Sequence, residues 1–310
     1  MRGLQRKKVG LLYAGAMPTA PASFQKWLGG LPELGIIADI IPLAVRKSAD
    51  VGGSNFTQVA ATIVRQYPSV DGFVIMRGSD DLLYLAAALS FSLTGLGKPV
   101  VVVGAEISAQ RPGELSSGLK ADLINAVQAA TLAFSEVGIM SGNRLLRGNA
   151  AIRARSAEAG SFEAPPGAVL GRIDFSIRLL ERTLRPTPRT RLVVTPLERR
   201  VDYVVLTPWH GTEALQRHAA NAAALLLNTR TQSVLPSWLQ LWLQTAAERK
   251  PVAVLTAASS VVVKSNTVAV LPAGTPEAML AKLAWAAAMA KTPAKVSVLM
   301  AQEVAGEFSV

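Results

Sequence analysis

The apolar and polar positions between residues 72 and 104 alternate in blocks typical of an α/β protein. The apolar run 72–76 (GFVIM) stops at the polar turn 77–81 (RGSDD), which predicts a buried strand that ends in a turn. Apolar positions then recur at helical spacing over 82–89, and a second apolar strand follows at 98–104. Strand, helix and strand at this spacing predict a βαβ unit with a right-handed crossover.

The polar turn after the first of these strands is a candidate site. In open parallel sheets, ligands bind at the carboxyl ends of the strands, which is where Ser79 and Asp80 fall. Asp80 and Asp81 also stand at the predicted helix start, where carboxylates cap free N–H groups and suit the helix dipole. The pattern leaves two roles open for this turn, a ligand site and an ordinary helix cap.

Further elements are predicted on both sides of this unit. The N-terminal part has predicted strands at 9–14, 36–43 and 137–140, a hairpin return at 150–155, and helices at 57–67 and 122–134. The C-terminal part has predicted strands at 201–207, 223–227 and 252–255, with helices at 213–220, 238–246 and 276–290. The pattern predicts an N-terminal α/β domain over 1–182, a linker over 183–200, and a smaller C-terminal α/β domain over 201–310.

Composition narrows the class. The 310 residues include no cysteine, which excludes disulfides and thiolate chemistry, and half are hydrophobic, as in compact globular proteins. No apolar run approaches the length of a membrane span. The basic N-terminus followed by the apolar run 9–14 resembles a secretory signal, but we interpret the run as the first strand and expect a cytoplasmic protein.

The net charge of +11 raises the question of an anionic partner. Much of it falls in one proline-containing stretch, at Arg172, Arg178, Arg182, Arg185, Arg189, Arg191, Arg199 and Arg200. No aromatic residues are interleaved there, so a stacking platform for single strands is unsupported. Composition therefore favours a solvated basic linker over a nucleic-acid site.

The order of motifs resembles the bacterial L-asparaginase/glutaminase family. The segment 71–80 (DGFVIMRGSD) is similar to that family's DGFV(V/I)xHGTDT, and 98–105 (KPVVVVGA) to its KPVVxxGA. Three weaker matches follow the family's order, at 11–17, 144–149 (RLLRGN) and 274–278 (GTPEA). The resemblance implies the two-domain asparaginase-like fold, with a mainly parallel sheet, helices on both faces and a smaller C-terminal α/β domain. It also implies a homodimer or homotetramer in which a neighbouring subunit completes the site.

The resemblance further implies side-chain amide hydrolysis through a threonine nucleophile. The family's loop threonine corresponds to Met17, which has no hydroxyl, although Thr19 lies two residues later. The family's second threonine corresponds to Ser79, and its aspartate is retained as Asp80. Ser79, Asp80 and Thr19 are therefore the candidate catalytic residues.

Four further residues are candidates for substrate binding. The family's catalytic lysine corresponds to Arg153, which cannot act as a base but can bind a carboxylate through two nitrogens. The family's histidine before the second motif corresponds to Arg77, and Arg77 and Arg153 together are expected to form an anion pocket. The family's substrate-binding serine corresponds to Gly53, and Ser54 lies directly after it. Gly15 belongs to the first loop.

No metal or other cofactor is predicted. His210 and His218 are the only histidines, and no clustered acids accompany them. Two functions remain open: an asparaginase-type amidohydrolase acting on a small amino-acid-like amide with a rearranged catalytic apparatus, and an inactive relative that binds a small ligand or a protein partner. A tRNA partner, as in the related tRNA-dependent amidotransferase, agrees with the charge but is not favoured.

Overall fold

The computed structural model describes residues 6–14, 28–44, 53–78, 80–104, 117–155, 162–174, 176–187, 191–258 and 261–308, with the side chains of 53–55 and 117 left out. The chain divides between Val194 and Thr195 into two compact units. That division falls inside the segment predicted as a linker.

Strands and helices alternate through most of the first unit. Its described strands are β1 (Lys8–Tyr13), β2 (Asp39–Ala44), β3 (Gly72–Arg77), β4 (Leu93–Thr94), β5 (Val100–Gly104), β6 (Val137–Ser141), β7 (Arg144–Arg147), β8 (Ile152–Arg153), β9 (Phe162–Glu163), β10 (Val169–Ile173), β11 (Ile177–Leu179) and β12 (Val193–Val194). Its described helices are α1 (Pro32–Ile37), α2 (Gly53–Gln66), α3 (Leu82–Ser92) and α4 (Ser117–Ala130), with single 3₁₀ turns at Tyr67–Ser69 and Pro166–Ala168.

One mixed sheet forms the centre of this unit. Its strand order is β11-β10-β7-β6-β5-β3-β1-β2, in which β6, β5, β3, β1 and β2 are parallel and β7, β10 and β11 extend one side as antiparallel strands. The chain goes from β1 to β2 on one side and then to β3 on the other, so the switch point lies between β1 and β3. The mainly parallel α/β prediction is confirmed.

Both faces of the sheet are covered. Alternate residues of β3 show this, since Phe73 packs with α2 and α3 while Val74 packs with α4 and α1. Gly72 is needed where α4 ends against the sheet, because a Cβ there would lie 2.1 Å from the Ala130 carbonyl oxygen. This close approach fixes the start of β3 and, with it, the position of the turn that follows.

Several predicted boundaries are wrong. Ile36 and Ile37 belong to α1, and the strand begins only at Asp39. The hairpin that follows β6 returns as β7 at Arg144–Arg147, instead of at 150–155. Arg172 and Arg178, grouped in sequence with the basic linker, lie in β10 and β11 of the main sheet.

The second unit is a smaller α/β layer, as predicted. Its strands β13 (Val201–Val205), β14 (Ala224–Arg230), β15 (Val252–Thr256) and β16 (Val268–Leu271) are parallel and adjacent in that order. Its helices are α5 (Thr212–Asn221), α6 (Ser237–Ala246), α7 (Pro276–Met289) and α8 (Pro293–Ala301). Thr275 caps α7, because its side chain accepts a hydrogen bond from the Ala278 amide.

A buried ion pair joins α7 to the chain after α8. The Lys282 ammonium lies 2.6 Å from the Glu307 carboxylate, and both side chains are 0% exposed. Lys282 also donates to the carbonyl oxygens of Met300 and Gln302. Burial lowers the pKa of Lys282, while Glu307 acts in the opposite direction. The pair therefore fixes the course of the chain from 300 to 307.

A partly buried carboxyl group makes the first unit sensitive to pH. The Asp122 carboxylate accepts a hydrogen bond of 2.9 Å from the Gly142 amide in the turn between β6 and β7. Burial raises the pKa of Asp122 to about 6, although this hydrogen bond acts in the opposite direction. The folded state therefore binds the proton more tightly than the unfolded state does.

We expect Asp122→Asn to stabilise the protein above pH 6. The wild type loses stability as the pH rises from about 4 to about 6, because only the folded state must give up a tightly held proton. The variant should then be about 1–3 kcal/mol more stable at pH 7.5 and equal to the wild type near pH 3.5. Urea unfolding across this range measures the gap, with the exposed Glu248→Gln as control; a gap independent of pH contradicts the prediction.

Candidate active site

The candidate site lies at the switch point, where β1 and β3 end side by side. The Ala14 amide donates a 2.9 Å hydrogen bond to the Met76 carbonyl oxygen, which carries the pairing one residue past β1. The turn after β3 leads directly into α3. Parallel strands with this connectivity leave a crevice outside their carboxyl ends.

Arg77 joins the elements that meet there. Its guanidinium donates to the Ala14 carbonyl oxygen and makes a two-nitrogen contact with the Asp81 carboxylate, with Nε 2.6 Å from Oδ1. The side chains of Arg77 and Asp81 are only 5% and 19% exposed. Such fork-shaped pairs are among the strongest polar contacts in proteins. Arg77 therefore fixes the end of β1 to the start of α3.

This contact corrects the expected role of Asp81. Its side chain makes no capping hydrogen bond to α3, although its backbone carbonyl accepts one from the Leu85 amide. The four-residue spacing of Arg77 and Asp81 was the sequence signal for the pair. Asp80 and Asp81 also suit the start of a helix, so the spacing alone does not predict this pair.

Asp80 contacts a different arginine. Its carboxylate is fully exposed, and one of its oxygens lies 3.9 Å from Arg153 Nη2. Arg153 is held in the hairpin of β8 and β9, where it pairs with Phe162 and its guanidinium lies 5.9 Å from the centre of that ring. The structure thus brings Asp80 and Arg153 together, whereas the sequence had paired Arg153 with Arg77.

The β8–β9 hairpin is tied to the main sheet through Ser141. The Phe162 amide donates to Ser141 Oγ at 2.9 Å, and that hydroxyl lies 3.2 Å from the Phe162 carbonyl oxygen. Ser141 is the last residue of β6. Arg153 is therefore held beside the carboxyl edge of the parallel strands.

Four other candidate residues lie wholly or partly outside the described part of the chain. Ser79, Thr19 and Gly15 lie outside the described residues. The backbone of Ser54 lies in the first turn of α2, and its side chain is outside the described part. Their assigned roles stay predictions.

Both histidines lie in the second unit. His218 Nδ1 is 2.7 Å from an Asp202 carboxylate oxygen, and His210 Nδ1 is 2.7 Å from the Thr207 hydroxyl. Across the ranges that the structure covers, no three His, Asp or Glu side chains form a group that could hold a metal. In the same ranges, no helix is long and apolar enough to cross a bilayer.

A cleft that the sequence did not predict lies at the carboxyl edge of the second sheet. It encloses about 580 Å³, and Arg230 is its one charged lining residue within the described part of the chain. The Asn228 amide donates a 2.7 Å hydrogen bond to the Tyr203 hydroxyl at its wall. Arg230 itself has a φ of 57°, which is uncommon for a residue other than glycine.

Comparisons with known proteins agree with this architecture. Residues 14–185 match the family model described as the N-terminal domain of asparaginase. L-asparaginase 1 of Escherichia coli is 36% identical over 151 residues, which are 48% of this chain and 44% of that protein. A glutamyl-tRNA(Gln) amidotransferase component of Pyrococcus abyssi is 37% identical over 113 residues, 36% of this chain and 25% of that protein. The chain thus spans less than half the length of these curated relatives.

Solved structures extend the likeness to the second unit. The crystal structure of L-asparaginase I from Vibrio cholerae has a TM-score of 0.80 at 26% identity, covering 97% of this chain and 99% of that one. The fold is therefore that of bacterial L-asparaginases. Because the family model covers more than half of the chain, this protein belongs to the asparaginase family.

Proposed function

We propose that this protein is an asparaginase-type amidohydrolase acting on the side-chain amide of a small amino-acid-like substrate. The observation that carries the proposal is the end of β3 at Arg77, shortly before Ser79 and Asp80 in sequence, in a chain of the asparaginase family. The clamp between Arg77 and Asp81 supports it, because it fixes both ends of this turn. A catalytic group needs a rigid support of this kind.

The reaction assigned to the turn is a two-step acyl transfer. The Ser79 hydroxyl attacks the amide carbon, and its proton passes to the leaving nitrogen with the help of Asp80. Ammonia then departs and leaves an acyl-enzyme ester. Water then hydrolyses the ester, which releases the carboxylic acid and restores the hydroxyl. Thr19 is the alternative nucleophile.

Arg153 is assigned to binding. Its guanidinium stays protonated and cannot take the serine proton, but it can hold a substrate carboxylate through two parallel hydrogen bonds. Its present contact with Asp80 is long and exposed, so a substrate anion can replace it. Arg77 already binds Asp81, so its role is to hold the turn between β3 and α3 in place.

A second function is a ligand-binding protein without turnover. The observation that favours it is the same Arg153, because a permanently charged group stands 3.9 Å from Asp80 where the family resemblance places a lysine. A small acidic or amide ligand would still bind the Arg153 guanidinium. We also propose a homodimer or homotetramer, by analogy with the family.

Ammonia release separates the two functions. Purified protein is assayed with L-asparagine, L-glutamine and a panel of small primary amides, and binding of the same compounds is measured by calorimetry. Release from at least one amide supports the amidohydrolase. Heat of binding without ammonia release supports the binding protein. The absence of both signals would overturn both proposals.

A further inference from the structure

Three arginines lie in a row across the antiparallel side of the main sheet. Arg172 of β10 is directly opposite Arg144 of β7 on one side and Arg178 of β11 on the other. Directly opposed residues of antiparallel strands point to the same face, so the three side chains project together. All three are exposed. This arginine row (Arg144, Arg172, Arg178) is an interaction surface that the proposed hydrolysis does not use.

The row has no ion-pair partner among the described residues. Like charges directly opposite each other on a sheet are destabilising. Arg172 bears this repulsion from both sides, so the fold maintains a concentrated positive strip at a cost in stability.

The row ends close to the candidate active site. Ser141 of β6 is directly opposite Arg144, and its hydroxyl contacts the backbone of Phe162, whose ring lies under Arg153. A positive strip therefore runs from Arg153 to the edge strand β11. Two of its members, Arg172 and Arg178, had been grouped with the linker by composition alone.

We propose that the arginine row binds the sugar–phosphate backbone of a nucleic acid. Neighbouring strands lie about 4.8 Å apart, so the row is about 10 Å long. Each strand of a duplex carries one negative charge per about 3.4 Å of helix axis, so a row of this length can contact two or three phosphates. Guanidinium forks suit phosphate oxygens, and the net charge of +11 draws a polyanion towards the protein.

Two features define the kind of contact. The strands β7, β10 and β11 contain no aromatic residue, so the row contacts phosphates and does not stack on bases. A second copy of this chain is a poor occupant, because a two-fold contact centred on the row would place arginines against arginines. Binding is therefore independent of sequence and strongly dependent on salt.

Fluorescence anisotropy tests the proposal with a labelled 20-nucleotide RNA and the matching DNA strand, in 50–300 mM NaCl. The row variant carries Arg144→Gln, Arg172→Gln and Arg178→Gln. The control removes the same charge at exposed positions outside described ion pairs, with Arg217→Gln, Arg249→Gln and Lys295→Gln. Equal affinity for the two strands supports a contact to phosphates alone, and a preference identifies which nucleic acid is the source.

We expect the wild type to bind both strands, and the row variant to bind at least 10-fold more weakly at 100 mM salt. The slope of log affinity against log salt should fall by about 2 for three lost contacts to a single strand. The control should change affinity less than 3-fold and keep the slope. Equal losses in both variants, or no binding by the wild type, overturn the proposal.

The melting temperature of each variant shows whether a loss of binding is due to a loss of folding. Removal of the repulsion should raise the melting temperature of the row variant by a few degrees. If the triple variant does not fold, Arg172→Gln alone is used, and Arg172→Lys is the variant that should keep the phosphate contact. A slope unchanged in Arg172→Gln contradicts the proposal.

Discussion

Ammonia release should fall by about 10³-fold or more when Ser79 is replaced by alanine. Removal of a serine nucleophile has effects of about 10⁶-fold in the best studied hydrolases, and the remaining groups keep a residual rate. The reason is specific to this chain, because Met17 has no hydroxyl where the family resemblance places the first threonine. The measurement is kcat on the amide that the wild type hydrolyses fastest.

Thr19→Ala is the matched control for this variant. Both changes remove one hydroxyl, and we expect Thr19→Ala to keep kcat within a few-fold while the melting temperatures of both variants match the wild type. The opposite pattern, with activity lost only in Thr19→Ala, would place the nucleophile in the first loop. Equal activity in all three proteins would point to a contaminating amidase.

Lys282→Met should lower the free energy of unfolding by about 3–5 kcal/mol. The change leaves the Glu307 carboxylate buried without its cation, and removal of one partner of a buried ion pair has effects of this size. The carbonyl oxygens of Met300 and Gln302 lose a donor as well. Urea denaturation at pH 7.5 measures the loss.

The double variant Lys282→Met with Glu307→Met tests the explanation. It buries two apolar side chains of similar volume, so it should be more stable than either single variant. Lys295→Met, at an exposed lysine of α8, should change stability by less than about 0.5 kcal/mol. A double variant as unstable as the sum of the single variants would show that packing, rather than charge, accounts for the loss.

The sequence predicted the buried parallel strands well. The apolar run that became β3 is covered on both faces, so it contains little besides apolar residues and stands out from its surroundings. The antiparallel strands β7, β10 and β11 were missed for the opposite reason. They are three to five residues long and carry arginines on their exposed face, so β10 and β11 resemble a basic linker and β7 resembles part of a hairpin turn.

The sequence indicated the turn between β3 and α3, but not the contacts around it. A polar turn after a buried strand is visible in one segment of sequence, and the roles given to Ser79 and Asp80 in that turn stay predictions. The approach of Arg153 to Asp80 depends on the pairing of β8 with β9 and on the contact with Ser141, which join distant segments. Local patterns contain no information of that kind.

The clamp between Arg77 and Asp81 also restricts how this protein can change during evolution. The resembled HGTDT segment has histidine and threonine at these two positions, and here both differ. A single reversion at either one would leave the other charge without its partner in a nearly closed environment. The two positions are therefore expected to be replaced together, and a path of single substitutions between the two forms passes through a less stable protein.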